Sequence, residues 1–234
     1  MNTLKNQEEQ EPETMRGDLL SSKLQRRSFL RYAGAGAAGI ALVAVGCKKD
    51  SIDGRANFGR DDTAILNYAY ALEQLEAAFY TQVVATPYTG ISAFETSVMT
   101  DIRDHEIAHR EFFKTALAGA AIQSLEVDFS SINFTSRDSV LATAKAFEDL
   151  GVSAYNGAGF LIKSDAYLTL AGKIVSVEAR HAALIRDLIS NGSFADSTVV
   201  SAQGLDTSRS PSQVLAIAGK YIKTQLNVEG LPTY

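Results

Sequence analysis

The chain has a single cysteine, no tryptophan, only 4 prolines and no excess of positive charge. One cysteine leaves no internal disulfide and no cysteine-based zinc site. A formal charge of −5 and an isoelectric point near 5.3 provide no basic field for a phosphate backbone, which argues against nucleic acid as a partner. The longest apolar run, residues 32–46, is 15 residues long, short of the roughly 20 that span a bilayer as a helix. What is present is ordinary for a globular protein: 46% hydrophobic and 21% charged residues over 234 positions. With proline scarce and Ala, Leu and Glu recurring, the balance favours helix, and an all-α fold is expected.

Residues 1–46 differ from the rest. A polar, Glu-rich start leads to Arg26-Arg27-Ser28-Phe29-Leu30-Arg31 and then to the uncharged run. A basic flank before a short apolar stretch of small residues marks an export signal rather than a membrane span. Paired Arg26 and Arg27 before Phe-Leu resemble the twin-arginine signal, which carries folded proteins out of the bacterial cytoplasm. The run ends at Ala44-Val45-Gly46-Cys47, which is similar to a lipoprotein cleavage box with Cys47 as the lipidated residue, although Ala44 replaces the usual larger aliphatic. An incidental thiol near an ordinary cleavage site is the alternative. The expected layout is a leader over 1–46, a linker over 47–60 and one domain over 61–234. The expected location is the bacterial cell envelope, as a periplasm-facing lipoprotein or a periplasmic protein, with the lipid anchor as the membrane contact.

From Asp61 the apolar pattern has helical period, with Asp61 or Asp62 as N-cap and Ile65, Ala69, Leu72, Glu76, Phe79 and Val83 on one face. Ser92 and Glu95 form a capping box for a second helix carrying Ile102, Glu106, His109 and Phe113. Residues 121–135 form a connection long enough to run the length of a bundle. A third helix starts at Thr135 or Ser136 and bears Phe147, Glu148 and Tyr155, with Gly157 and Gly159 expected to weaken it. A fourth, from near Ser164, carries Ile174, Glu178, His181 and Ile185. Ser210-Pro211 opens a terminal helix expected to reach about Leu226.

Four glutamates thus lie on apolar stripes, where an unpaired charge is costly. At 100° per residue, Glu76 lies within about 20° of Ile65, and Glu106 and Glu178 about 40° from the isoleucines before them. The spacing repeats: Glu76 to Glu148, Glu106 to Glu178 and His109 to His181 are each 72 residues. This register describes a duplicated helical hairpin, each half setting one Glu opposite one Glu-x-x-His. Four carboxylates and two neutral imidazoles would balance two divalent cations, and an oxygen-rich set with one nitrogen per metal suits iron or manganese.

That pattern resembles the ferritin-like di-iron or di-manganese carboxylate proteins over roughly residues 62–190. The segments Leu72-Glu73-Gln74-Leu75-Glu76, Val152-Ser153-Ala154-Tyr155 and Val177-Glu178-Ala179-Arg180-His181 look like the secreted bacterial branch. The resemblance implies a four-helix bundle with a long crossover between helices two and three, plus a short C-terminal helix. It implies two Fe or two Mn ions, bridged by Glu106 and Glu178 and completed by Glu76 with His109 and by Glu148 with His181. Glu73, about 80° from Ile65, is read as a flanking residue, and His105 as a boundary histidine. Tyr80 and Tyr155 either support the ligands or are ordinary core tyrosines. Arg103 and Asp104 either orient a histidine or are solvated. The implied partners are metal ions and small oxidants, with a homo-oligomer left open. Ferroxidase-like and manganese catalase-like activity share the six ligands; a non-catalytic metal-binding or structural envelope lipoprotein is the competing class.

Overall fold

The computed structural model describes residues 54–234. Arg26, Arg27 and Cys47 lie outside the described residues. Four long helices dominate: α1 (Asp61–Ala85), α2 (Ala93–Leu117), α3 (Arg137–Gly159) and α4 (Asp165–Ile189), followed by a short α5 (Pro211–Ala218). The fold is a four-helix bundle in which α1 packs on α2 and α3 on α4. Among the described residues, no helix is long and apolar enough to cross a membrane.

Side-chain caps set most helix starts. The Ser92 hydroxyl accepts from Glu95 N, and the Glu95 carboxylate accepts from Ser92 N, both at 3.1 Å. Ser136 and Ser164 cap α3 and α4, and Ser210 caps α5. The first helix departs from expectation: its N-cap is Arg60, with no side-chain cap. Asp62 instead accepts the backbone N–H groups of Lys163 and Ser164, each at 2.9 Å, so its carboxylate caps the entry to α4. Those bonds put the starts of α1 and α4 at one end of the bundle. At the other end Arg137, opening α3, bonds Glu95 near the start of α2 and the carbonyl of Leu188 near the end of α4. Each hairpin is therefore antiparallel, with α1 parallel to α4.

The connection over 121–135 runs along α1. Asn67 accepts from Ile122 N and donates to Ala120 O, Gln74 accepts from Leu125 N, and Phe79 packs edge-on to Phe129. Thr89 N then reaches Thr135 O. With this connection on one side and helices on the others, residues 67–77 of α1 are buried without interruption.

Two boundaries differ from the sequence expectation. The terminal helix ends at Ala218, not near Leu226; a single tight turn follows, and Ile222 pairs with Val127 of the crossover. The stretch expected to be linker is partly domain, because β1 (Ala56–Asn57) pairs in parallel with β2 (Leu226–Asn227) and Phe58 is fully buried. Burying such a side chain contributes about 1.5–3 kcal/mol, enough to hold the entering strand against α1. Gly157 does not end α3; a Cβ there would stand 1.8 Å from Arg209 O, so the glycine lets the C-terminal segment cross the helix.

Candidate metal centre

Four helices each deliver acidic side chains to one buried level of the bundle. The Glu-x-x-His pattern puts Glu106 with His109 on α2 and Glu178 with His181 on α4, one turn apart on the same face. From α1 comes Glu73, and from α3 comes Glu148, both fully buried. Two groups result, each with ligand atoms within 4.8 Å of one another: Glu73, Glu106, His109 and Glu178; and Glu106, Glu148, Glu178 and His181. Glu106 and Glu178 belong to both and stand between them.

The Nδ1 atom of His109 lies 2.9 Å from Glu178 Oε1 and 3.4 Å from Glu73 Oε2. Symmetrically, His181 Nδ1 lies 2.9 Å from Glu106 Oε1 and 3.4 Å from Glu148 Oε2. None of these is aligned as a hydrogen bond. Of ten buried side-chain polar atoms without a hydrogen-bond partner among the described residues, eight are carboxylate oxygens or imidazole nitrogens of this cluster. Buried polar groups are nearly always satisfied. Ligand atoms gathered within 4.8 Å of one another without hydrogen bonds between them fit a metal ion in each group.

The tyrosines cross the centre. Tyr155 of α3 donates its hydroxyl to Glu73 of α1, and Tyr80 of α1 donates to Glu148 of α3 at 2.5 Å. Each bond fixes one oxygen of a carboxylate and leaves the other, Glu73 Oε2 or Glu148 Oε2, free to face the histidine. Burial and the adjacent carboxylate hold both phenols well above their usual pKa, so they stay protonated donors.

The first-helix residue differs from the expected one. Glu73, not Glu76, belongs to the group with His109. The 72-residue register holds only for α2 against α4; Glu73 to Glu148 and Tyr80 to Tyr155 are both 75. The extra residues have a location: the connection 86–92 is two residues longer than 160–164, and α1 runs one residue further beyond its glutamate than α3 does. Angular distance from Ile65 misjudged Glu73 because α1 is enclosed on every side at this level. The repeated Glu-x6-Tyr, Glu73 with Tyr80 and Glu148 with Tyr155, was the available signal.

His105 belongs to neither ligand group, as expected of a boundary histidine, but it supports one of the ligands. Its ring stacks on His181, with Nδ1 3.0 Å from His181 Nε2, giving the outer nitrogen of that imidazole a partner as metal-bound histidines need. Arg103 and Asp104 pair with each other at 2.8 Å and face outward.

Without cations, the cluster balances its charge with protons. Burial opposes a charge on His181, but Glu148 and Glu106 outweigh it and raise its pKa to about 11. His109 is raised further, by Glu73, Glu106 and Glu178 acting against burial. Burial lifts Glu73 to about 7 despite His109 beside it, and burial with the charges of Glu106 and Glu73 pushes Glu178 well up. Glu106 goes the other way: burial would raise it, but both imidazoles outweigh that and hold it at about 2.

A family model for the ferritin-like domain matches residues 61–191, more than half of the chain. The chain belongs to the ferritin-like domain family. No curated protein matches it. The matched span of this ferritin-like protein covers all four bundle helices and every carboxylate and imidazole of the buried cluster, a site that could hold metal.

Proposed function

We propose that this ferritin-like protein is an exported, lipid-anchored metalloprotein with a dinuclear iron or manganese site, active on ferrous iron, peroxide or dioxygen. The observation that carries the reading is the pair of overlapping ligand groups sharing Glu106 and Glu178. Glu73 with His109 would hold one ion and Glu148 with His181 the other. The donor set is mostly oxygen with one nitrogen per position, which favours iron or manganese over structural zinc or copper. Bound metal would supply redox chemistry with small oxidants.

The chain's own residues prepare the site. Tyr80 and Tyr155 hold the terminal carboxylates in one rotamer, and His105 fixes the tautomer and plane of His181. Phe79, Phe113 and Phe147, each at most 3% exposed, belong to the apolar core that limits water around the carboxylates. The twin-arginine motif and Cys47 support export and anchoring.

The test is to measure iron and manganese per chain in protein taken from its native envelope, then follow peroxide consumption and ferrous oxidation by the metal-loaded and metal-free forms. About two ions per chain with metal-dependent turnover is expected. Two ions without turnover would leave a metal-binding lipoprotein and overturn the redox assignment; a metal content near zero with no rebinding would overturn the site. Glu73→Gln should lower the metal content.

A further inference from the structure

The approximate twofold of the centre relates α1 to α3 by a step of 75 residues, taking Glu73 to Glu148 and Tyr80 to Tyr155. The same step takes Glu76 to Gly151. One half thus holds a carboxylate where the other has no side chain, and the two are neighbours. A Cβ on Gly151 would stand 3.2 Å from Glu76 Oε1 and 3.6 Å from Glu178 Oε2. Glu76 therefore occupies the volume that a side chain at 151 would take, beside the Glu178 oxygen on the His181 side. Glu178 Oε1 faces His109 at 2.9 Å, while Oε2 lies 3.9 Å from His181 Nδ1.

Glu76 is 4% exposed. The charges that act on it, those of Glu106, Glu178, Glu148 and Glu73, are all negative. A buried carboxylate in that setting either keeps a proton or meets a cation. It enters along the contact of α1 with α3, whereas both imidazoles are carried by α2 and α4. The same half of the centre is marked a second time: His105 supports His181, but the 72-residue step takes His105 to Val177, which cannot support His109 in that way.

We propose that Glu76 is a fifth carboxylate ligand, serving the cation held by Glu148 and His181, so that the two metal positions are chemically unequal. The proposal rests on the dinuclear reading above. Four carboxylates neutralise two divalent ions; the fifth places extra negative charge at one of them and tightens that position.

Metal-free protein titrated with Mn2+, followed by heat and by the Mn2+ paramagnetic resonance signal, tests it. The unaltered chain should bind two ions in separated steps. Glu76→Gln should retain both positions but weaken the tighter step by about 10- to 100-fold, the cost typical of losing a metal-supporting partner, so that the steps converge. Gly151→Ala changes no charge but sets a methyl against Glu76 Oε1, and should weaken the same step. If Glu76→Gln loses its helical signal, Gly151→Ala decides: a weakened tight step supports the proposal, an unchanged one overturns it. Two ions bound with no response at either position would overturn the role of Glu76 alone. An unaltered chain that takes up no Mn2+ and no Fe2+ would overturn the dinuclear reading with it.

Discussion

A carboxylate in a protein interior must meet a donor, a proton or a cation, and a metal-free form of this centre would rely on the first two. Tyrosines satisfy one oxygen each on Glu73 and Glu148; protons held on His109, His181 and the raised glutamates offset the rest. Cations must displace those protons, since metal binds neutral imidazole and ionised carboxylate. Metal affinity should therefore rise with pH through neutrality, and titrations in buffers of different ionisation enthalpy should reveal net proton release. Heats independent of buffer would contradict this. The linkage also acts on the metal-free fold. His181 is raised from 6.5 to about 11, and Glu73 from 4.5 to about 7. Groups with raised pKa stabilise the fold below their unfolded values and lose that contribution as pH rises through the folded ones. Glu106, lowered from 4.5 to about 2, gives a contribution that is complete above 4.5 and constant beyond it. The Tm of metal-free protein should then fall between about pH 5 and pH 8 while the gain on adding metal grows. A metal-free Tm that climbs across this window would refute the proton balance.

At the scale of elements, the two hairpins are similar but not superimposable residue for residue. A first connection two residues longer, with one more residue of α1 beyond its glutamate, shifts α1 by three residues against α3, close to one helical turn, so a glutamate three positions from the expected one arrives at the same level. The termini matter too: the C-terminal segment crosses α3 at Gly157, where Arg209 N donates to Ser153 O at 3.0 Å and the Arg209 guanidinium bonds the Ser153 hydroxyl at 2.7 Å. Gly157→Ala would put a methyl into the Arg209 carbonyl and displace this crossing. A loss of about 1–3 kcal/mol is expected, the usual cost of overpacking, with metal stoichiometry unchanged. Urea unfolding with metal analysis checks both parts; native stability would show that the crossing is easily moved.

For the whole molecule, the export proposed above would suit a protein that takes up metal before leaving the cytoplasm, and the groups that could hold such an ion are buried within the bundle. Arg26→Lys with Arg27→Lys should leave precursor in the cytoplasm, and Cys47→Ser should release the domain from the membrane fraction. Cell fractionation reads both. Normal export of the double variant would refute the twin-arginine assignment, and unchanged membrane association of Cys47→Ser would refute the anchor.

Local chemistry made much of this protein legible from its residues in order. Ser92 with Glu95, Ser136, Ser164 and Ser210-Pro211 mark helix starts by side-chain oxygens that act within one turn. The Glu-x-x-His pairs are likewise local, because i and i+3 share a helix face whatever surrounds the helix. Glu73 against Glu76 was not a local question. Which of two acids on α1 faces His109 depends on how far α1 slides along α3, and loop length and packing set that distance. The roles of Asp62 at the start of α4, of His105 behind His181 and of Phe58 under the C-terminal strand also rest on contacts between distant segments. Periodicity records which side of a helix is apolar, but for a helix buried on all sides it carries little information about direction. Only the tertiary packing chose which of its acids faces His109.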